Sequence, residues 1–507
     1  MKLLGSDRRR LAWRAAFFIA TAFCATAQDQ DLAKLSATAK QLMASGRFEE
    51  AIPICEQLVK AVPGNTGLML NLGLAEEMAG HPDKAVPLFE QVLQAEPGNV
   101  PALTELAGSQ MELNQPKLAL VPLRKLLSEQ PANHAAREML AGALMEADEL
   151  EEAAEQYRKL TAADANDAKA WYGLGKTYES LSERLFERIS KANTESPYAA
   201  ALIGYSRLSQ QQYKSAFFFF RQAEQKLPNL RGLHAGLAKI YQETGHADWA
   251  AIEEKAEESL PAPNCAAAPA ECAFVQNHYL ESARAGSKGA APAALFWAVK
   301  AYNQMAIEAF GRLGALPESV ELHALKAQIL HGHRQELEAA NEWRAALKLA
   351  PGNNRLESEL ARALFLAHDY KGAIELVQQL LASDRNSPQL NFMMGESLLR
   401  TEQPGEAVPY LERALRADAK LTPAHASLGL ALARMDRGRE AIPHLEKALA
   451  LDDDGSLHYA LARAYQQAGN AERSRELMVE YQRIQKQNGE QKAELAKEIQ
   501  IAPPARN

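Results

Sequence analysis

Small and large apolar residues recur along this chain with a period of 34. Ala51, Ala85, Ala119 and Ala153 are spaced by that interval, as are Ala339, Ala373, Ala407 and Ala441, with Ala216 and Ala250 as a shorter echo between them. Phe89, Val92 and Pro97 follow Ala85, and Leu123, Leu126 and Pro131 follow Ala119. Trp343, Ala346 and Pro351 follow Ala339, and Leu445 and Ala448 follow Ala441. Steps of four and three set these side chains on one stripe of a helix, and the proline stops it. Each such helix is preceded by another carrying a Leu-Gly or Leu-Ala pair, as at Leu72-Gly73, Leu106-Ala107, Leu140-Ala141, Leu174-Gly175, Leu428-Gly429 and Leu461-Ala462. An aromatic or aliphatic residue often comes three places later (Tyr178, Tyr241, Leu432, Tyr465), and the intervening turns carry glycine, as at Ser45-Gly46, Gly80-His81, Gly245-His246 and Gly469-Asn470. A fixed period of this kind predicts stacked helical hairpins rather than one globular enzyme core.

This pattern resembles the tetratricopeptide repeat, which runs Trp, Leu-Gly, Tyr, then Ala, Phe, Ala and Pro. Trp171, Leu174-Gly175 and Tyr178 match its first half, and Ala85, Phe89 and Pro97 its second. The resemblance covers residues from about 32 to 264 and about 293 to 489. It implies an all-α, right-handed superhelical solenoid of about ten to twelve hairpins. It also implies a concave groove, lined by the first helix of each hairpin, that holds a segment of another protein. First-helix residues that read as pointing away from the hairpin core are Thr104, Met111, Glu138, Met145, Tyr172, Lys176, Tyr205, Lys239, Gln328, Arg362, Phe392 and Arg463. Some family members clamp a C-terminal carboxylate with Lys and Asn in the groove. Here Ser36, Lys40, Leu70, Leu74 and Thr104 stand in the first repeats, so that clamp is absent as a set.

The departures from the period predict the domain organisation. After Tyr178 the turn and its alanine are missing, and Leu181, Leu185 and Ile189 continue a helical stripe toward Pro197, a hairpin shortened or fused into one long helix. The Tyr302-to-Phe310 interval repeats the Tyr178-to-Phe186 interval, which suggests a second-order duplication. Residues 28–264 and 293–489 read as two repeat blocks, with an irregular hairpin at about 168–196 and a joint at 265–292 between the blocks. The charged run from Tyr481 reads as a capping helix, and 490–507 as a polar tail in which Ala502-Pro503-Pro504 is mobile.

Arg8, Arg9 and Arg10, a mostly apolar 11–23 and Ala25-Thr26-Ala27 read as an export signal over 1–27, cleaved near Ala27. The alternative is an uncleaved amphipathic helix, with Arg14 inside the apolar run. Cys24 could suggest a lipid anchor, but Phe23 precedes it where a small residue belongs, so a soluble periplasmic or secreted form is expected. Loss of the leader takes the net charge from −8 to −12, an acidic balance that argues against nucleic acid. No later apolar run is long enough for a membrane span. Cys265 and Cys272, in the loop that breaks the repeat, are expected to form a disulfide, and Cys55 to be a buried free thiol.

Candidate chemistry is sparse. His323, His331 and His333 are the strongest metal candidates, but no nearby cysteine completes a site, and they read as polar edge residues; no metal or cofactor is expected. H-E-x-x-H, G-x-S-x-G, phosphate-loop and dinucleotide motifs are absent from the sequence. In the Phe217–Phe220 run, Phe220 is expected in the core and the others under the irregular 178–196 helix, with an exposed ligand patch as the alternative. The function expected is a non-enzymatic scaffold for other envelope proteins or peptides. The alternative is an assembly or secretion factor for polysaccharide or outer-membrane components. The oligomeric state is left open.

Overall fold

The computed structural model describes residues 27–498 and 500–504; apart from Ala27, the expected leader lies outside them. Among the described residues there are 26 α-helices and no strand. Twelve pairs of consecutive helices form hairpins, and two long helices, Ala168–Ala192 and Pro292–Gly314, stand outside that scheme. The irregular hairpin read at 168–196 is therefore a single 25-residue helix.

Successive hairpins of the first repeats are built by the same local chemistry. Asn65, Asn99 and Asn133 end the loops between hairpins, and each accepts the backbone N–H three residues on at 3.0 Å, which caps the first helix. Within each hairpin the turn places one residue in the left-handed region. Gly80 (φ 89°) occupies it without penalty, whereas Arg334 (φ 61°), His368 (φ 61°) and Glu402 (φ 63°) occupy the same place at a cost of roughly 1–2 kcal/mol each.

The core rests on an interlock between a glycine of the first helix and a large side chain of the second. A Cβ added to Gly73 would lie 2.6 Å from the Phe89 ring, one on Gly395 2.5 Å from Leu411, and one on Gly429 2.6 Å from Leu445. Phe220, fully buried, is held between Gly204 and Gly236. Phe217, also buried, packs on Tyr241 at 5.9 Å rather than under the 178–196 segment, while Phe218 and Phe219 are half-buried and meet each other at 5.3 Å.

The long helices obey this rule by a non-local route. Gly175 has no following second helix, and its partner is Phe310 of the other long helix, 2.3 Å from the position a Cβ would take. Tyr172 packs on Phe310 at 6.5 Å and Tyr178 on Tyr302 at 6.0 Å, so these helix stretches run antiparallel.

Two compact units result, each discontinuous in sequence. One comprises the described residues up to Arg184 with Ala301–Pro317; the other comprises Leu185–Lys300 and the described residues from Glu318 on. The joint read at 265–292 is not where the contacts divide the chain, because each long helix contributes to both units. That stretch is itself helical: Pro269–Val275 and Tyr279–Ser287 form a short hairpin in which Ser282 Oγ donates to the Ala270 carbonyl at 2.7 Å. Cys265 and Cys272 are disulfide-bonded at its start, with Cα atoms 5.2 Å apart, and Cys55 is a buried free thiol. Among the described residues no helix is long and apolar enough to cross a membrane.

The interlock gives a signed prediction. Gly175→Ala drives a methyl into Phe310 and lowers unfolding stability by about 1–3 kcal/mol, and combining it with Phe310→Leu restores part of the loss. Gly311→Ala, in the same long helix as Phe310 but with no atom within 4 Å, raises stability by about 0.5–1 kcal/mol. Urea titrations of the variants check this; equal shifts for Gly175 and Gly311 would contradict the packing.

Candidate functional site

The first-helix residues singled out from the sequence divide into three groups. Lys239, Arg362 and Arg463 are exposed, the first two beside Glu243 and Glu359 of their own helices. Thr104, Glu138, Met145, Lys176, Gln328 and Phe392 are half-buried. Glu138 pairs with Lys169 at 3.2 Å, Lys176 with Glu179, and Phe392 meets Phe365 edge-on at 6.2 Å.

The third group is drawn inward. Met111 is buried in a cluster with Leu120, Leu140 and Leu144, and Tyr172 is buried against Phe310. Tyr205, half-buried, packs edge-on to Phe220 at 4.9 Å and is 3.2 Å from Lys300 Nζ through its hydroxyl. These three do not point away from the core. For Tyr172 and Tyr205 the reason is long-range, since Phe310 and Lys300 come from a distant helix that the local period does not reveal.

Lys300 was missed by the sequence reading. Its ammonium lies over the rings of Tyr205, Trp297 and Phe274, at 4.3, 5.3 and 5.2 Å, and burial lowers its pKa to about 8. A lysine inside an ordinary helical stripe gives no sequence signal of this cage.

A polar latch recurs at the position where the repeat pattern has tryptophan. The side chain there reaches back six residues to a loop carbonyl; Arg137, His234 and His425 also reach nineteen residues forward, and Asn391 twenty-two, to the second helix. Trp171 Nε1 donates to the Ala165 carbonyl at 2.9 Å. Arg137 donates to the Pro131 carbonyl and to Gln156 Oε1 at 2.8 Å. Asn391 donates to the Arg385 carbonyl at 2.8 Å and accepts from Arg413 at 3.1 Å. His234 Nε2 meets the Pro228 carbonyl at 3.1 Å while Nδ1 meets Glu253 at 2.6 Å. His425 Nε2 meets the Ala419 carbonyl at 3.3 Å while Nδ1 faces His444 Nδ1 at 2.9 Å. Each latch ties the entering loop to the helix it opens.

Glu224, His234 and Glu253 are the one group among the described residues whose carboxylate and imidazole atoms converge as metal ligands can, within 4.8 Å. Both ring nitrogens of His234 are already engaged in the latch, which accounts for the cluster without an ion. His323 and His331 do not converge: His323 meets Glu342 at 2.6 Å and His331 meets Glu336 at 2.7 Å, in separate pairs. His331 and Glu336 also line an open cleft with Arg207, Gln212 and Arg334, all in the second unit.

The segment after the last helix is held. Tyr241 Oη donates to the Ala502 carbonyl at 2.7 Å, and Ile501 and Pro504 are half-buried, so 502–504 does not behave as the mobile tail expected from its composition.

Comparison with known proteins gives one family. Tetratricopeptide-repeat models match residues 76–121, 104–168, 139–183, 332–389 and 392–441. No curated protein matches the chain. Among solved structures, YrrB, a tetratricopeptide-repeat protein with an unusual peptide-binding site, is similar at 22% identity over 33% of this chain and 87% of its own, with a TM-score of 0.29. MamA of Desulfovibrio magneticus RS-1 is similar at 23% identity over 29% of this chain and 82% of its own, with a TM-score of 0.28. TTC0263, a thermophilic tetratricopeptide-repeat protein of Thermus thermophilus, is similar at 18% identity over 36% of this chain and 100% of its own, also with a TM-score of 0.28.

The two histidine latches respond oppositely to pH. The Glu253 hydrogen bond, opposed by burial, raises the His234 pKa; its stabilisation is full below the ordinary imidazole value of about 6.5 and fades as pH rises through the raised value. Burial lowers the pKa of both His425 and His444, so their stabilisation is full above about pH 6.5 and fades as pH falls through the lowered values. His234→Ala therefore costs most near pH 5.5 and least near pH 8.5, and His444→Asn shows the reverse order. Urea midpoints across that range check the signs, and parallel pH profiles for the two variants would contradict them.

Proposed function

Since this chain is a tetratricopeptide-repeat protein, we propose that it is a non-enzymatic scaffold that binds extended segments of other proteins along the first helices of its hairpins. The observation that carries this reading is the set of exposed cations on first helices of the second unit, Lys239, Arg362 and Arg463, which take no part in the core. Lys239 and Arg362 pair with glutamates of their own helices, which a partner's carboxylates can replace. Exposed cations suit a segment bearing carboxylates. The other half-buried candidates, Thr104, Glu138, Met145, Lys176, Gln328 and Phe392, would border that contact.

The compartment we assign is the periplasm or the exterior. The basic start and apolar 11–23 support it, as does the Cys265–Cys272 disulfide, a bond that persists in oxidising surroundings.

Affinity capture from an envelope extract tests the reading, with the chain from residue 28 as bait and Lys239→Glu/Arg362→Glu/Arg463→Glu as control. A client held by the native chain is expected to lose at least about tenfold in affinity to the control, roughly 1.4 kcal/mol, when both are remeasured with purified proteins. Equal affinity for both would remove these first helices from the binding surface. Capture of glycan in place of protein would favour the polysaccharide-handling alternative.

A further inference from the structure

Tyr241 lies in the first helix Leu233–Glu243, packed edge-on against Trp249 at 5.5 Å and close to Phe217 at 5.9 Å and His246 at 6.5 Å. Its side chain is fully buried. A buried phenol needs a hydrogen-bond partner, because leaving it without one costs its desolvation. The tyrosine at the equivalent place of a later hairpin, Tyr465, finds one nearby in Glu446, at 2.6 Å. Tyr241 instead donates to the carbonyl of Ala502, 261 residues away, at 2.7 Å.

The segment that supplies this carbonyl has the form of a ligand. Residues 500–504 read Gln-Ile-Ala-Pro-Pro and carry no helix. A residue before proline is held extended, and two successive prolines favour the polyproline-II helix, which has three residues per turn. Its burial follows that period: Ile501 and Pro504, three apart, are half-buried, whereas Ala502 and Pro503 between them are exposed. One edge of the segment thus faces the protein through an apolar residue and a proline, with the backbone fixed by a tyrosine hydroxyl. Recognition of proline-rich segments on aromatic surfaces uses the same physics, since the ligand is already extended and loses little entropy on binding.

We propose that the Tyr241 surface is a binding site for a polyproline-II segment with an apolar residue three positions before a proline, and that residues 500–504 fill it in cis. The built-in segment closes the site until it is displaced by a partner segment of the same chemistry. This rests on the reading of the chain as a peptide-binding scaffold and names one of its sites. A tethered ligand at an effective concentration of about 1 mM, with an intrinsic Kd near 0.1 mM, weakens an external competitor about tenfold.

The test uses the full chain and a fluorescein-labelled peptide, Gln-Ile-Ala-Pro-Pro, with binding read by anisotropy. Ile501→Asp/Pro504→Asp places charges on the half-buried edge and frees the site. The released variant is expected to bind the peptide about tenfold more tightly than the native chain. Adding Tyr241→Phe, which keeps the ring and removes the donor, weakens the released variant's binding several-fold. Far-UV circular dichroism and thermal midpoints confirm that the variants fold. Equal binding by native and released chains overturns occupancy in cis. No binding by either overturns the site itself, and in that case the envelope client can still be recovered on Lys239, Arg362 and Arg463, so the two readings fail separately.

Discussion

In the hairpins that carry it, the contact between a glycine of one helix and a large side chain of the next sets the spacing of the pair. Because Gly73, Gly395 and Gly429 lack a Cβ, the second helix comes close enough for Phe89, Leu411 or Leu445 to fill the space, and the alanine four residues before that side chain keeps the approach close. The arrangement is short-range and repeats with the sequence. Where the chain omits a second helix, after Tyr178, the requirement persists, and Phe310 meets it from another part of the sequence. The two long helices thereby bring sequence-distant segments into one unit, 27–184 with 301–317.

This determines what the sequence could reveal. The period, the order of helices within each hairpin and the long helix after Ala168 all follow from residues within one repeat of each other, and the folded chain has them. The Cys265–Cys272 pair was also legible, since six intervening residues make a short closable loop. The partner of Gly175 was not, because nothing near Phe310 marks it as a substitute for a missing helix. The burial of Tyr172, the cage around Lys300 and the division into units follow from that one non-local contact or from the helix that provides it. A division at 265–292 was suggested by broken periodicity, yet that stretch forms a short hairpin of its own.

The candidate site was legible to a similar depth. Register placed Lys239, Arg362 and Arg463 on first helices, and they are exposed there; register alone could not tell them from Met111 or Tyr172, which the core absorbs. The latches were hidden for another reason. Trp171, Arg137, Asn391, His234 and His425 share no side-chain chemistry, only the geometry that brings a donor to a carbonyl six residues back. Composition misled for 502–504: prolines and alanines suggest a loose end, but the same prolines stiffen the segment that Tyr241 holds.

The account depends most on the Gly175–Phe310 contact, and a nuclear Overhauser measurement on a deuterated chain with labelled glycine and phenylalanine tests it directly. Cross-peaks between the Gly175 α-protons and the Phe310 ring are predicted, comparable in strength to those between Gly73 and Phe89 within one hairpin. A Gly73–Phe89 cross-peak with none for Gly175–Phe310 would show that the long helices do not complete each other, and the discontinuous units would fall with that result.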